Sequence, residues 1–192
     1  MKNTLWKFIF ITMSIFLAAS FSLAEDTDHP ARNLLDISFP TPKDTEQQKY
    51  LGIEGGEEFK ISQVDARVVV VEIFSMYCPY CQREAPRVNE LYEKMQTASP
   101  VNGSVKIIGI GAGNSAYEVE LFREAYQIPF PLFSDGDYTI HERIGSVRTP
   151  FFIVFRKNEK NVFELNKTHL GPIKDLDQFL EEITERSVPS NN

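Results

Sequence analysis

The sequence is poor in cysteine. Two in 192 residues exclude a secreted scaffold held by several bridges and a zinc site built on four thiolates. Histidine is scarce as well. His29, His141 and His169 lie far apart and none repeats a ligand spacing, so no metal is expected. Positive charge is in short supply: 20 Lys and Arg face 27 Asp and Glu, for a formal net charge of −7 and a pI of about 5.1. Such a chain is a poor partner for nucleic acid or an anionic membrane surface. Beyond the N-terminal segment there is no long apolar run, which excludes a helical channel. There is no internal repeat and no low-complexity tract. What the chain does have is 42% hydrophobic residues and 15 Phe. That suffices for one compact domain with tails and is too much for global disorder.

The first residues have the composition of a targeting segment. Lys2 and Lys7 precede an almost wholly apolar stretch from Phe8 to Phe21, and Ser22-Leu23-Ala24 places small residues where a signal peptidase reads. The apolar core is shorter than the roughly 20 residues a spanning helix needs. The expectation is a signal peptide over residues 1–24, with an uncleaved N-terminal anchor as the alternative. No Cys lies near the cleavage site, so a lipid anchor on Cys is excluded. Without Lys2 and Lys7, 18 Lys and Arg would face 27 acids, a net charge of −9. The destination is an oxidising compartment, periplasmic or secreted, where a pair of cysteines can cycle as a disulfide.

Residues 25–45 carry Pro30, Pro40 and Pro42 and read as an irregular lead-in. A folded domain is expected over residues 46–187 and a flexible tail over 188–192. Glu58–Ile61 alternates like a short strand. Arg67–Phe74 (RVVVVEIF) is β-branched and apolar on both faces, the pattern of a central parallel strand buried on both sides. Pro79–Thr97 follows with Val88, Leu91, Tyr92 and Met95 at helical spacing. Val105–Ile110 is a second buried strand, Ser115–Gln127 a helix, Phe130–Phe133 a short strand and Tyr138–Ile144 a short helix. Phe151–Phe155 and Val162–Leu165 are strands, and Ile173–Arg186 is a closing amphipathic helix. Helices alternating with strands, then a strand pair and a last helix, predict an α/β sandwich with mixed strand directions.

The chemistry lies at Cys78-Pro79-Tyr80-Cys81, where the buried strand gives way to a helix. A thiol at a helix N-terminus meets unpaired N–H groups and the positive end of the macrodipole, which favour its thiolate. Pro79 fits the first turn, where a missing N–H costs little. Cys81 lies one turn on, within reach of a reducible bridge. The alternatives are a structural disulfide, which would close a tiny loop and add little stability, and half of a zinc site, for which no further ligands are at hand.

The stretch VVVVEIFSMYCPYCQREAP and the downstream Arg148-Thr149-Pro150 resemble the thioredoxin superfamily, and within it the secreted TlpA/ResA-like thiol-disulfide oxidoreductases. That group shares its core with the redoxins and the AhpC/TSA peroxiredoxins. The segment from Gly111 to Phe155 resembles their added strand-helix unit and proline strand, so the likeness spans roughly residues 57–186. It implies a thioredoxin-like three-layer α/β/α sandwich with a mixed central sheet, here with an N-terminal extension. It also implies a monomer without cofactor beyond a redox-active Cys78–Cys81 disulfide. The partners it implies are disulfide-containing exported proteins, apocytochromes c among them, and a membrane thiol electron donor. Tyr77 stands where Trp is usual, and Pro79-Tyr80 is the glutaredoxin-like pair; both bear on the redox potential. Pro86 falls where the family's helix is kinked.

Two further positions stand out. On the strand, Glu72 shares a face with Val68, Val70 and Phe74, so it points into a core where an ionised carboxylate is costly. The resemblance implies a proton acceptor for Cys81 at this place. Pro150 opens an apolar strand, which a proline tolerates only at its start. The resemblance implies a cis Thr149–Pro150 bond against the disulfide and a backbone edge free to pair with substrate, flanked by Tyr77, Pro79 and Tyr80.

Other functions fit the same residues. A peroxiredoxin-type peroxidase usually needs P-x-x-x-T-x-x-C, whereas Val71 and Ser75 occupy those places here. The EIFSMYC string resembles the DsbA oxidants, although their inserted helical domain has no room. A redox-inactive binding module would not need an intact C-x-x-C. The expectation is a reductant of disulfides.

Overall fold

The structure, a computed structural model, describes residues 29–97 and 104–184. The segment 1–24 and the tail 188–192 lie outside the described residues. Pro30–Asp36 is a 3₁₀ helix, followed by strand β1 (Ser38–Pro40), helix α1 (Thr45–Leu51), strand β2 (Glu58–Lys60) and a 3₁₀ turn (Ile61–Gln63). Then come β3 (Val68–Phe74), α2 (Pro79–Thr97), β4 (Val105–Ala112), α3 (Ala116–Tyr126), β5 (Leu132–Asp135), α4 (Thr139–Arg143), β6 (Phe151–Lys157), β7 (Phe163–Leu170) and α5 (Leu176–Thr184).

Five strands form one mixed sheet in the order β5-β4-β3-β6-β7, and β1 pairs with β2 in a separate antiparallel ribbon. The all-buried β3 lies at the centre, parallel to β4 and antiparallel to β6. Its alternation splits the core in two. Val68, Val70 and Phe74 pack with α2, α3 and α5, while Val69, Val71 and Ile73 pack with the N-terminal segment, Phe133 and Phe155. The result is a thioredoxin-like three-layer sandwich.

Residues 29–45 correct the expectation of an irregular lead-in. Ala31, Leu34, Ile37 and Phe39 are buried, and the Phe39 ring lies 5.8 Å from Phe59 and 5.2 Å from Phe133. Pro30 stands at the start of the 3₁₀ helix, where it fits, and the i, i+3 spacing of Ala31 and Leu34 matches three residues per turn. Helix α1 departs from the sequence expectation as well. Asp44 caps its first turn at 2.9 Å, and Gly52, at φ 67°, ends it in the left-handed region. The prolines punctuate short regular pieces there. Strand β7 also runs on to Leu170, past the expected Leu165, with a register shift opposite Val154 and Phe155.

Candidate active site

The end of β3 at Phe74 and the start of α2 at Pro79 place the two cysteines. Between them, the Cys78 N–H donates to Ser75 O at 3.0 Å, and the Gln82 N–H donates to Cys78 O at 3.1 Å, so Cys78 stands at the mouth of α2. Both cysteines are free thiols; Cys78 is half-buried and Cys81 is buried. The Cys78 thiol donates to the Thr149 carbonyl at 3.4 Å and accepts from the Cys81 N–H at 3.5 Å. Partial burial pushes the Cys78 pKa up, but hydrogen bonds from the Thr149 side chain, from Cys81 and from the Tyr80 backbone bring it below the ordinary thiol value. Cys81 moves the other way. Burial raises its pKa, and the nearby Glu72 carboxylate adds to the rise. One thiol is prepared to ionise and its neighbour, one turn deeper, is not.

Glu72 lies on the α2 side of β3, aligned with Gly109 on β4 and Phe152 on β6. It is buried, and its Oε1 has no hydrogen-bond partner. Burial, with a smaller repulsion from Glu84, pushes its pKa up to about 8. Gly109 leaves room there for Leu132, since a Cβ on it would stand 2.4 Å from Leu132 Cδ2. Glu84, one turn beyond Cys81 on α2, is a second buried acid and accepts the Ile173 N–H at 2.8 Å. Burial raises its pKa, opposed by that bond and by Arg87 and His169.

The Thr149–Pro150 bond is cis. Pro150 is buried at the start of β6 and its carbonyl accepts the Gly171 N–H at 2.8 Å, while Thr149 meets Cys78. Tyr77 is exposed and its hydroxyl donates to Glu118. Pro79 and Tyr80 are exposed on the first turn of α2, with the Arg83 guanidinium 4.6 Å from the Tyr80 ring centre. The segment before Cys78 is held on both sides. The Met76 N–H donates to Asn114 Oδ1 at 2.8 Å, and Gln82 Nε2 donates to Met76 O at 2.7 Å. Among the described residues no group of three or more His, Cys, Asp or Glu is arranged to hold a metal ion.

A half-exposed thiol prepared to ionise, a buried partner one turn on and a proline loop against both form a dithiol site on a thioredoxin-like sheet. The AhpC/TSA family model matches residues 35–169, most of the chain. The chain belongs to the AhpC/TSA family. Within it the chain is 25% identical over 134 residues to the thiol-disulfide oxidoreductase ResA of Halalkalibacterium halodurans, covering 70% of each chain. The sporulation thiol-disulfide oxidoreductase A of Bacillus subtilis is 28% identical, over 66% of this chain and 74% of its own. Among solved structures, a secreted disulfide oxidoreductase of Mycobacterium tuberculosis superposes with a TM-score of 0.57 at 18% identity, covering 80% of this chain and 98% of that one. This AhpC/TSA member is therefore ResA-like, and its activity is thiol-disulfide oxidoreduction.

The structure brings Cys78, Cys81, Glu72, Thr149, Pro150 and Tyr77 of this AhpC/TSA protein to one end of the sheet. Three participants were missed in the sequence. Glu84 carried a signal, an acid at i+3 from Cys81 on the face that holds Ala85 and Val88. Asn114 and Glu118 carried none, because their contacts are with a loop some forty residues away, 38 for Asn114 and 41 for Glu118.

Proposed function

We propose that the protein is a periplasmic or secreted reductant of disulfides in exported proteins, working through Cys78 and Cys81. The Cys78 thiolate attacks a substrate disulfide; one substrate sulfur leaves as a thiolate and takes a proton, and a mixed disulfide forms on Cys78. Cys81 then gives its proton to Glu72 and attacks the Cys78 sulfur, releasing the second substrate thiol. Two electrons pass from the dithiol to the substrate, and a membrane thiol donor returns the protein to its reduced state. A pKa of about 8 suits Glu72 to accept a proton and give it back near neutral pH. The backbone at Thr149 offers a pairing edge beside Cys78, and Pro150, Tyr77, Pro79 and Tyr80 flank it.

The observation that carries the dithiol exchange is the geometry of the pair, a half-exposed Cys78 at the mouth of α2 with the buried Cys81 one turn on and the buried Glu72 on the same side of the sheet. Export rests on the pattern of residues 1–24 and is supported by a secreted structural relative. Cys81→Ser is expected to trap exported proteins as mixed disulfides on Cys78, and the further change Cys78→Ser to abolish the trap. Adducts of cytoplasmic proteins alone, or none, would count against the reading. The exported form is expected to begin at Glu25; an intact Met1 in its mass spectrum would refute cleavage.

A further inference from the structure

Large apolar side chains are rarely left open in clusters unless something covers them. Seven are exposed among the described residues, and four of them, Tyr77, Tyr117, Leu121 and Tyr138, are linked through α3 and the loop ahead of it. The links between them are short. Tyr77 precedes Cys78 and its hydroxyl reaches Glu118, on the first turn of α3. Tyr117 is the neighbour of Glu118, and Leu121 lies one turn beyond Tyr117 on the outer face of α3. The loop before Tyr138 lies against the same turn, since a Cβ on Gly136 would stand 3.5 Å from Asn114 O and from Ser115 Cα. Tyr138 itself is held in place. Its backbone is left-handed at φ 61°, and its hydroxyl occupies the space over Gly113, where a Cβ would stand 2.1 Å from it. An aromatic side chain fixed in an uncommon backbone conformation and still 48% exposed is a ready-made contact.

The charge around these rings is negative. Glu118 and Asp137 stand within the patch, and hydrogen bonds, chiefly from Tyr77 and from Thr139, hold both carboxyls below their usual range. The nearby Arg123 is engaged by Glu120 at 3.1 Å. The chain as a whole carries −7.

We infer that the outer face of α3 and the Tyr138 loop form a docking surface for a cationic, unfolded polypeptide segment that carries the disulfide to Cys78. This rests on the reductase reading and names the class of its substrate. The tyrosines supply rigid apolar contacts at low entropic cost, and the two carboxylates select positive charge.

The test is single-turnover oxidation of the reduced protein over a range of disulfide concentrations. Three oxidants are compared: oxidised glutathione, a cationic unstructured peptide closed by one disulfide, and its anionic counterpart. The cationic peptide is expected to half-saturate at the lowest concentration, and its advantage to shrink with salt. The double variant Tyr117→Ser/Tyr138→Asn removes both rings, and Asn tolerates the left-handed backbone at 138. It is expected to raise the half-saturating concentration of the cationic peptide about tenfold. The limiting rate and the reaction with oxidised glutathione are expected to be unchanged. An unmoved half-saturation, an equal loss with glutathione, or no preference between the peptides would overturn the docking surface. A wild-type protein that reduces none of the three would overturn the reductase reading and the docking surface with it.

Discussion

The Cys78 thiol lies 3.4 Å from the carbonyl oxygen of Thr149, a residue 71 positions away in the chain. The contact joins the mouth of α2 to the start of β6. It gives the reactive sulfur a partner on each side, the Cys81 N–H at 3.5 Å and the Thr149 loop. The thiol's ionisation is therefore set jointly by its helix and by a distant loop.

Alkylation of the reduced protein is expected to modify Cys78 first, with a midpoint below the ordinary thiol value of about 8.5. Thr149→Ala leaves the carbonyl contact in place but removes the side chain whose hydrogen bond favours the thiolate, so the midpoint is expected to rise by up to about one unit. Mass mapping of the labelled cysteine against pH checks both. Labelling of Cys81 alone at neutral pH would reverse the assignment.

Glu72 has a consequence for stability. Its folded pKa of about 8 lies above the ordinary 4.5. The unfolded chain releases this proton first, so ionisation favours unfolding. The burden is absent below pH 4.5 and grows as pH climbs toward 8. Glu72→Gln is expected to match wild type at the acid end and to exceed it at alkaline pH by on the order of a few kcal/mol. Thermal unfolding of the reduced proteins across this range reads the difference, and a gap that does not widen with pH would refute the assignment.

The same substitution bears on the reaction. Glu72→Gln is expected to slow resolution of the mixed disulfide more than its formation, because only resolution needs a proton acceptor for Cys81. Rapid-quench measurement of the two steps separates them. Equal effects on both would remove Glu72 from the relay.

The equilibrium potential of the Cys78–Cys81 pair decides the direction of electron flow. A reductant is expected near the thioredoxin value of about −270 mV. A potential near about −120 mV, that of a strong oxidant, would refute the reductase reading.

Phe39 is 1% exposed and packs between Phe59 and Phe133. Phe39→Ala is expected to cost about 3–5 kcal/mol in urea unfolding. A surface lead-in would lose far less.

Much of the protein is legible along the chain because the physics is local. The run Arg67–Phe74 marks a two-sided buried strand by composition, and Val88, Leu91 and Met95 mark the buried face of α2 by period. The C-x-x-C at the junction of the two follows from covalent spacing alone. Residues 29–45 are not legible in this way, because their prolines are strong local signals whereas their burial depends on a sheet face built from residues far downstream.

The amino-acid sequence by itself determined which thiols can pair, which strand is central and that Glu72 faces a core, since these depend on neighbours within a few residues. Only the tertiary structure decided what lies against them. The order β5-β4-β3-β6-β7 puts β6 beside β3 and so carries Thr149 to Cys78 and Phe152 to Glu72. The packing of α3 brings Asn114 and Glu118 to the loop before Cys78. No periodicity encodes such pairings, because they arise from how finished elements fit together, and that fit is settled by burial across the whole core.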